Sequence, residues 1–202
     1  METIHDATAA LEAAWPEIVK QSREVLGSEL FYQALVYHCL REHGRVPIGQ
    51  LGMNVKMYIS DPASDLFKRL VSRKHPAYRG GFEPIPDVCF FSSHVGADWR
   101  RRKSATTLAS LLLAIEIKAS ERKNGRLRIG EIKTDIEKLA AHRDEARAKG
   151  YSFLPVVMVI DSADKSECMT AQSLEEAQAI AVQLAVGFMY LSQKTEFSLL
   201  AV

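Results

Sequence analysis

Cysteine is scarce in this 202-residue sequence, which has three cysteines and no CxxC pair. Cys39, Cys89 and Cys168 are odd in number and far apart, which argues against a disulfide framework and against a structural zinc site. Long apolar runs are also missing. The most apolar late stretch, Ala177–Leu191, is interrupted by two glutamines and is shorter than the roughly 20 residues that a membrane span needs.

Other familiar signatures are absent as well. The first fifteen residues, METIHDATAALEAAW, lack the basic and apolar regions of a signal peptide, so the cytoplasm is the expected location. The sequence contains no Walker A loop and no GxGxxG pattern, which argues against a nucleotide cofactor. The segment Ser92-Ser93-His94 lacks the pattern of a nucleophile elbow. These absences predict a protein without a membrane partner or a nucleotide cofactor.

The composition is that of a globular domain, with 47% hydrophobic and 25% charged residues. Its length favours a single domain over residues 1–202. Helical patterns dominate the N-terminal part, about residues 1–75, and the core is expected over about residues 82–202. Proline and glycine interrupt residues 44–61, which are compatible with a helix-turn-helix-like insertion or with a plain connector.

Three apolar segments predict the strands of a central sheet. Pro86–Ser92 is rich in β-branched and aromatic residues, and Ser110–Ala119 and Phe153–Ile160 have the apolar runs of buried strands. Ile129–Lys149 has helical periodicity and is long enough to connect the second and third strands in parallel. A last helix is predicted over residues 173–192. The fold class is therefore α/β, with a mixed central sheet flanked by helices.

Charged residues at the ends of two of these strands form the candidate site. Glu116 and Lys118 share one face of their strand, and Asp87 opens the neighbouring strand. Charges at the end of so apolar a strand need water, a metal ion or each other. Two carboxylates can hold Mg²⁺, which polarises a phosphoryl oxygen and acidifies water, while Lys118 orients or deprotonates the water or stabilises phosphate charge.

The pattern of Pro86-Asp87, 28 residues, and Glu116-Ile117-Lys118 resembles the PD-(D/E)xK nuclease superfamily, whose members have the restriction-endonuclease-like fold. The ExK spacing alone is weak, because it also occurs at Glu121–Lys123 and Glu131–Lys133. Only the first match lies in an apolar strand downstream of a Pro-Asp strand. The resemblance covers about residues 28–161 and implies a metal-dependent deoxyribonuclease.

The resemblance also implies roles for individual residues. Asp87, Glu116 and the backbone carbonyl of Ile117 would be ligands of Mg²⁺ or Mn²⁺. Lys118 would be the catalytic lysine. Glu29 would be the carboxylate that the family carries on an N-terminal helix, and it would join the catalytic residues as a further metal ligand. The later helix of the family often directs polar residues toward the site, and the candidates in this chain are Lys133, Asp135 and Lys138.

Positive charge is concentrated around the motif. Residues 100–133 contain ten Lys or Arg and three Glu, a net charge of +7 in a chain whose total is +1. Such a segment fits a polyanion partner, here DNA, although a solvated charged loop is the more usual explanation of a basic run by itself. The expected DNA-binding residues are Arg100, Arg101, Arg102, Lys103 and Lys133.

Two alternatives remain open at this stage. One is a DNA-binding or assembly protein that keeps the nuclease fold without cleavage, and the other is an unrelated α/β protein with a chance match. The presence of Asp87, Glu116 and Lys118 together favours the enzyme, because a binding module needs no such set. An endonuclease that cuts both strands needs two sites, which is compatible with a homodimer, but the sequence shows no interface.

Overall fold

A six-stranded mixed sheet forms the centre of the computed structural model, which describes residues 1–59, 61–72, 84–99 and 105–200. The strands lie side by side in the same order as in the chain. They are β1 (Leu51–Met53), β2 (Val88–Phe91), β3 (Leu111–Ala119), β4 (Leu154–Asp161), β5 (Gly187–Ser192) and β6 (Glu196–Leu199).

Helices flank this sheet, so the predicted mixed α/β architecture is confirmed. Within the described part of the chain, no helix has both the length and the apolar character required to cross a membrane. The helices are α1 (Ile4–Glu24), α2 (Glu29–Glu42), α3 (Asp65–Ser72), α4 (Ala105–Ala109), α5 (Ile129–Ala148) and α6 (Ala171–Gln183).

Strand direction reverses three times across the sheet. β2 runs antiparallel to both β1 and β3, the strands β3, β4 and β5 are parallel, and β6 returns antiparallel to β5. The chain passes from β3 through α5 to β4, which is the parallel crossover that the sequence predicts. The first two long strands, β2 and β3, form an antiparallel pair in which Val88 lies opposite Ile115.

Alternating side chains divide the apolar interior into two cores. Ile115 and Ile117 of β3 point toward α1 and α2, where they join Leu11 and Val36 in one cluster. The other face of the sheet packs against α5 and α6 through a second cluster that includes Val157 of β4. Burying a side chain of this size stabilises the fold by about 1.5 to 3 kcal/mol, so the period-two pattern fixes which face each strand residue occupies.

Pro16 lies inside the continuous helix α1, although proline is favoured in the first turn of a helix. A proline within a helix removes one backbone hydrogen bond and costs about 3 kcal/mol in isolation. Ala14 and Ile18 on either side of it are fully buried against α2 and the sheet. Tertiary packing therefore keeps the helix intact through the proline.

The helix-turn-helix-like insertion predicted at 44–61 is wrong for the described residues of that segment. Ile48–Gln50 form a single 3₁₀ turn, and β1 follows directly and pairs with β2. Gly52 lies in this strand so close to Val55 that an added Cβ would lie 2.4 Å from its Cγ2 atom. The prolines and glycines of this segment therefore belong to an edge strand and its tight connections.

The helix predicted over residues 173–192 is too long. Helix α6 starts earlier, with Thr170 rather than Ser173 as its N-cap, and ends at Gln183. The following segment, Gly187–Ser192, is the buried strand β5 between β4 and β6. The apolar residues of both elements form one stretch that only two glutamines interrupt, and Ala185, with a φ of 49°, makes the turn between them without a glycine to mark it.

Candidate active site

Asp87, Glu116 and Lys118 lie together where β2 and β3 run side by side. Asp87 immediately precedes β2, one residue beyond the Val88–Ile115 pair, which places it beside Glu116. Glu116 and Lys118 occupy the positions of β3 that alternate with the buried Ile117, so they face α5. The antiparallel pairing of β2 with β3 therefore brings the three residues to one place.

The carboxylate of Asp87 is held from two directions. The backbone N–H of Ile117 donates to its Oδ2 atom at 2.7 Å, and the side-chain amide of Gln33 donates to Oδ1 at 2.7 Å. Asn54 donates from Nδ2 to Oε1 of Gln33 at 3.1 Å and from its backbone N–H to the carbonyl of Asp87 at 3.0 Å. The carboxylate is thus fixed in orientation by β3, by α2 and by the loop after β1.

Gln33 and Asn54 were not predicted as site residues. Gln33 lies one helical turn after Glu29 on the same face of α2, and this spacing was the available signal for its place in the site. Asn54 gives no such signal, because its position depends on the pairing of β1 with β2. Its left-handed φ of 52° is a conformation that asparagine tolerates better than most residues.

Lys118 is paired with two carboxylates. Its Nζ atom lies 3.2 Å from both carboxylate oxygens of Glu29 and 3.2 Å from Oδ2 of Asp135 on α5. Lys138 contacts the other oxygen of Asp135 at 3.0 Å. Burial by itself lowers the pKa of Lys118, but the attraction of Asp135 and Glu29 outweighs this effect and raises it. Lys118 is therefore a fixed cation at neutral pH.

Glu29 reaches the site from the N-terminal helix, as the sequence predicts, but its described contact is with Lys118 rather than with Asp87 or Glu116. Asp135, expected only as one of several polar residues of the later helix, occupies the other side of the same ammonium group. Both carboxylates are thus placed to orient Lys118. The family resemblance implied that both approach the site, whereas the sequence did not identify Lys118 as their shared partner.

The side chain of Glu116 makes no hydrogen bond or ion pair with any of the residues that the structure describes. Burial raises its pKa to about 8, with repulsion from Asp87 and Asp135 adding to the effect. Burial likewise raises the pKa of Asp87, although the hydrogen bond from Ile117 opposes the shift. Neither carboxylate forms an ion pair with a described residue, although the charge of Lys118 opposes both pKa shifts.

A divalent cation would serve as the positive partner of Asp87 and Glu116. Carboxylates are hard oxygen donors, and Mg²⁺ is commonly held by one or two carboxylates together with substrate phosphate groups, without a closed protein cage. Over the described ranges, no group of three or more His, Cys, Asp or Glu side chains has the arrangement of a metal centre. Asp87 and Glu116 form a two-carboxylate set instead, because Glu29 and Asp135 are engaged by Lys118.

The other predicted residues lie elsewhere. Arg100, Arg101, Arg102 and Lys103 lie outside the described residues. Lys133 is exposed on α5, and it forms no side-chain hydrogen bond or ion pair within the described chain. The glutamates of the two remaining ExK matches have other partners: Glu121 accepts the backbone N–H of Glu29 at 2.9 Å, and Glu131 pairs with Arg122 at 2.7 Å.

A cavity of about 210 Å³ opens beside Glu116. Its walls include Phe67, Ile85, Lys138 and His142. The imidazole of His142 is buried against the ring of Phe153, 4.8 Å away, and neither ring nitrogen has a hydrogen-bond partner among the described residues. Burial lowers the pKa of His142 to about 3, so this ring is neutral under ordinary conditions and has a packing role.

We expect His142 to make the protein sensitive to acid. In the unfolded chain the imidazole gains a proton below about pH 6.5, whereas the folded ring remains neutral down to about pH 3. Stability is therefore present above pH 6.5 and is lost as the pH falls, by up to about 1.4 kcal/mol per pH unit. The His142→Phe variant should lack this pH-dependent loss of stability. The free energy of unfolding, measured by urea titration at pH 7, 6 and 5, should favour the variant over the wild type by an amount that grows as the pH falls. A difference that stays constant with pH would contradict the expectation.

The site thus combines two adjacent oxygen donors, a fixed ammonium group and open space on one face of the sheet. This combination suits chemistry on an anionic ester, because the donors hold a cation and the ammonium group stabilises developing negative charge. No family model matches the chain, and no curated protein or solved structure matches it.

Proposed function

We propose that this protein is a metal-dependent nuclease of the restriction-endonuclease-like PD-(D/E)xK type, acting on DNA phosphodiester bonds. The observation that supports it most is the meeting of Asp87 and Glu116 on neighbouring strands with Lys118 on the same face. The order of strands β2 and β3, crossover helix α5 and strand β4 agrees with the order of elements that the motif resemblance implies.

Asp87 and Glu116, with the backbone carbonyl of Ile117, are the proposed ligands of Mg²⁺ or Mn²⁺. When bound, such a cation supplies polarisation of the phosphoryl group and acidification of water. Gln33 and the N–H of Ile117 hold Asp87 so that the carboxylate keeps its orientation. This fixed geometry lowers the cost of arranging the donors when substrate arrives.

Lys118 is proposed to stabilise charge on the phosphate and to orient the attacking water. Its raised pKa makes the ammonium form dominant, which favours this role over that of a general base. Glu29 and Asp135 position the ammonium group from opposite helices and hold it within the site. The proposal therefore treats these two carboxylates as positioning residues and not as metal ligands.

The test is a substrate panel in Mg²⁺. Supercoiled plasmid, linear duplex, branched DNA and single-stranded RNA are incubated with the protein, and the products are separated on gels. We expect cleavage of at least one DNA substrate. Binding without cleavage of any substrate would favour the non-catalytic DNA-binding alternative, and the absence of both would make the motif a chance match.

A further inference from the structure

A second, larger cavity lies at the ends of β4 and β5 and has a volume of about 570 Å³. It is not part of the site around Asp87 and Glu116. Among the residues that line it, the polar and charged side chains that bear on its chemistry are Arg126, Asp164, Lys165, Thr170, Tyr190 and Lys194. Three of these six carry positive charge and one carries negative charge, so the cavity has an excess of cationic side chains.

The positive charges of this cavity are poorly neutralised. Lys165 and Lys194 are both exposed, and neither ammonium group forms an ion pair or hydrogen bond with another part of the described chain. Arg126 donates from its guanidinium to the backbone carbonyl of Cys168, which holds it beside the cavity without cancelling its charge. A cavity with unpaired cations attracts an anionic ligand.

The wall behind these cations is rigid. The hydroxyl of Tyr190 donates to Oδ2 of the buried Asp161 at 3.0 Å, and the backbone N–H of Met169 donates to the same oxygen at 2.8 Å. Asp161 itself is fully buried and lies behind the cavity rather than in its lining. The ring of Tyr190 therefore presents a fixed surface, and Asp164 is the carboxylate that the described lining exposes.

The cavity lies close to the candidate active site along the sheet. Lys118 on β3 is in register with Val159 on β4, and Val159 is in register with Tyr190 on β5. Neighbouring strands are about 4.8 Å apart, so the backbone of Tyr190 lies about 10 Å from that of Lys118. One DNA strand advances about 3.4 Å along the helix axis per nucleotide, which makes this separation about three nucleotides.

We propose that this cavity binds backbone phosphate groups of the nucleic-acid substrate about three nucleotides to one side of the bond that is cut. The inference rests on the proposed nuclease function, and it names a contact that the motif does not include. Arg126, Lys165 and Lys194 neutralise the phosphates, and the substrate strand passes from Lys118 across the ends of β4 and β5. The cavity thereby fixes the register of the strand relative to Asp87 and Glu116.

The first test uses binding without cleavage. A fluorescein-labelled 20-base-pair duplex is titrated in EDTA at several salt concentrations, and binding is followed by anisotropy. The variant Arg126→Gln/Lys165→Gln/Lys194→Gln should bind more weakly, with a log–log salt slope shallower by about 0.9 for each lost contact. The control Lys20→Gln/Lys68→Gln/Lys149→Gln removes the same charge from other exposed positions and should keep the wild-type slope. An unchanged slope in the cavity variant would overturn the proposal.

The second test shortens the substrate. Oligonucleotides that end within two nucleotides of the cleaved bond, on one side or the other, no longer reach the cavity from the shortened side. Truncation on one side should weaken wild-type binding as much as the triple substitution does. It should not weaken the triple variant further, because both changes remove the same contact. Additive losses would overturn the proposal.

A third measurement identifies the source of the phosphate. Deoxyadenosine monophosphate should not stabilise the wild-type protein against heat more than it stabilises the triple variant. Selective stabilisation of the wild type, with oligonucleotide binding unchanged between the two, would make the cavity a mononucleotide site and overturn the proposal. If the wild type cuts DNA while the triple variant keeps its salt slope, only this inference fails. If the wild type neither binds nor cuts, the proposed function fails as well.

Discussion

Glu116→Gln is expected to stabilise the metal-free protein at neutral pH. The wild-type carboxyl group is partly buried next to Asp87, and burial raises its pKa to about 8. At pH 7 the unfolded chain releases this proton freely, whereas the folded protein resists doing so, and this difference favours unfolding. Allowing for the partial exposure of the group, the neutral amide should gain about 2 kcal/mol, which corresponds to several degrees in melting temperature.

The pH dependence has a defined sign. A carboxyl group with a raised pKa in the folded state contributes stability below its unfolded pKa of about 4.5, and this stability is lost as the pH rises toward 8. Thermal melts in EDTA at pH 5, 7 and 8 should therefore show a growing advantage for Glu116→Gln. Glu137→Gln, an exposed position on α5, serves as the control and should show no such trend.

Mg²⁺ should act against the stability advantage of Glu116→Gln over the wild type. A cation that binds only the folded state raises the melting temperature by mass action, and Glu116→Gln removes one of its two proposed carboxylate ligands. The wild type should therefore be stabilised by millimolar Mg²⁺ more strongly than the variant. A Glu116→Gln protein that is less stable than the wild type at pH 8 in EDTA would show that Glu116 has a favourable partner in the folded state.

Lys118→Ala is expected to slow cleavage by about 10²- to 10⁴-fold, with little change in DNA affinity. The ammonium group is proposed to act on charge that develops during the reaction, and losing such an interaction lowers the rate without weakening ground-state binding. The variant should remain folded, because Asp135 keeps its contact with Lys138 at 3.0 Å. Single-turnover cleavage and anisotropy titrations on the same duplex measure the two quantities.

Two other lysines follow a glutamate at the same spacing as Lys118 follows Glu116, and they provide matched controls for this prediction. Lys123→Ala and Lys133→Ala change the other ExK matches, whose glutamates bind the backbone of Glu29 and the side chain of Arg122. At saturating DNA both variants should cut at close to the wild-type rate, because loss of a phosphate contact at Lys133 weakens binding without slowing the chemical step. Equal loss of cleavage in all three variants, or a Lys118→Ala protein that cuts normally, would remove the special role proposed for Lys118.

The sequence predicts the centre of the fold well because its signals there are local and strong. The apolar runs of β3 and β4 and the periodicity of α5 identify a parallel unit, and the alternation along β3 places Glu116 and Lys118 on one face. These features depend on burial patterns that each segment carries by itself. The proximity of Asp87 follows from pairing the strand it opens with the strand that carries Glu116.

The features that were missed depend on tertiary partners. β1 has only three residues and is a strand because β2 lies beside it. By itself its sequence looks like a connecting loop, because prolines and glycines surround it. β5 follows α6 without a break in apolar character, and the sheet rather than propensity decides where the helix ends. Asn54 reaches Gln33 only through the pairing of β1, and Asp135 reaches Lys118 only through the docking of α5 on the sheet.

The central claim is that Asp87 and Glu116 hold a cation that the protein needs to cut DNA. Its most direct test is single-turnover cleavage of the preferred substrate by wild type and Asp87→Asn in Mg²⁺, after EDTA, and after Mg²⁺ is restored. The account predicts that wild type cuts, stops in EDTA and recovers, and that Asp87→Asn remains inactive throughout although it binds DNA. Undiminished cleavage in EDTA, or wild-type rates for Asp87→Asn, would contradict it.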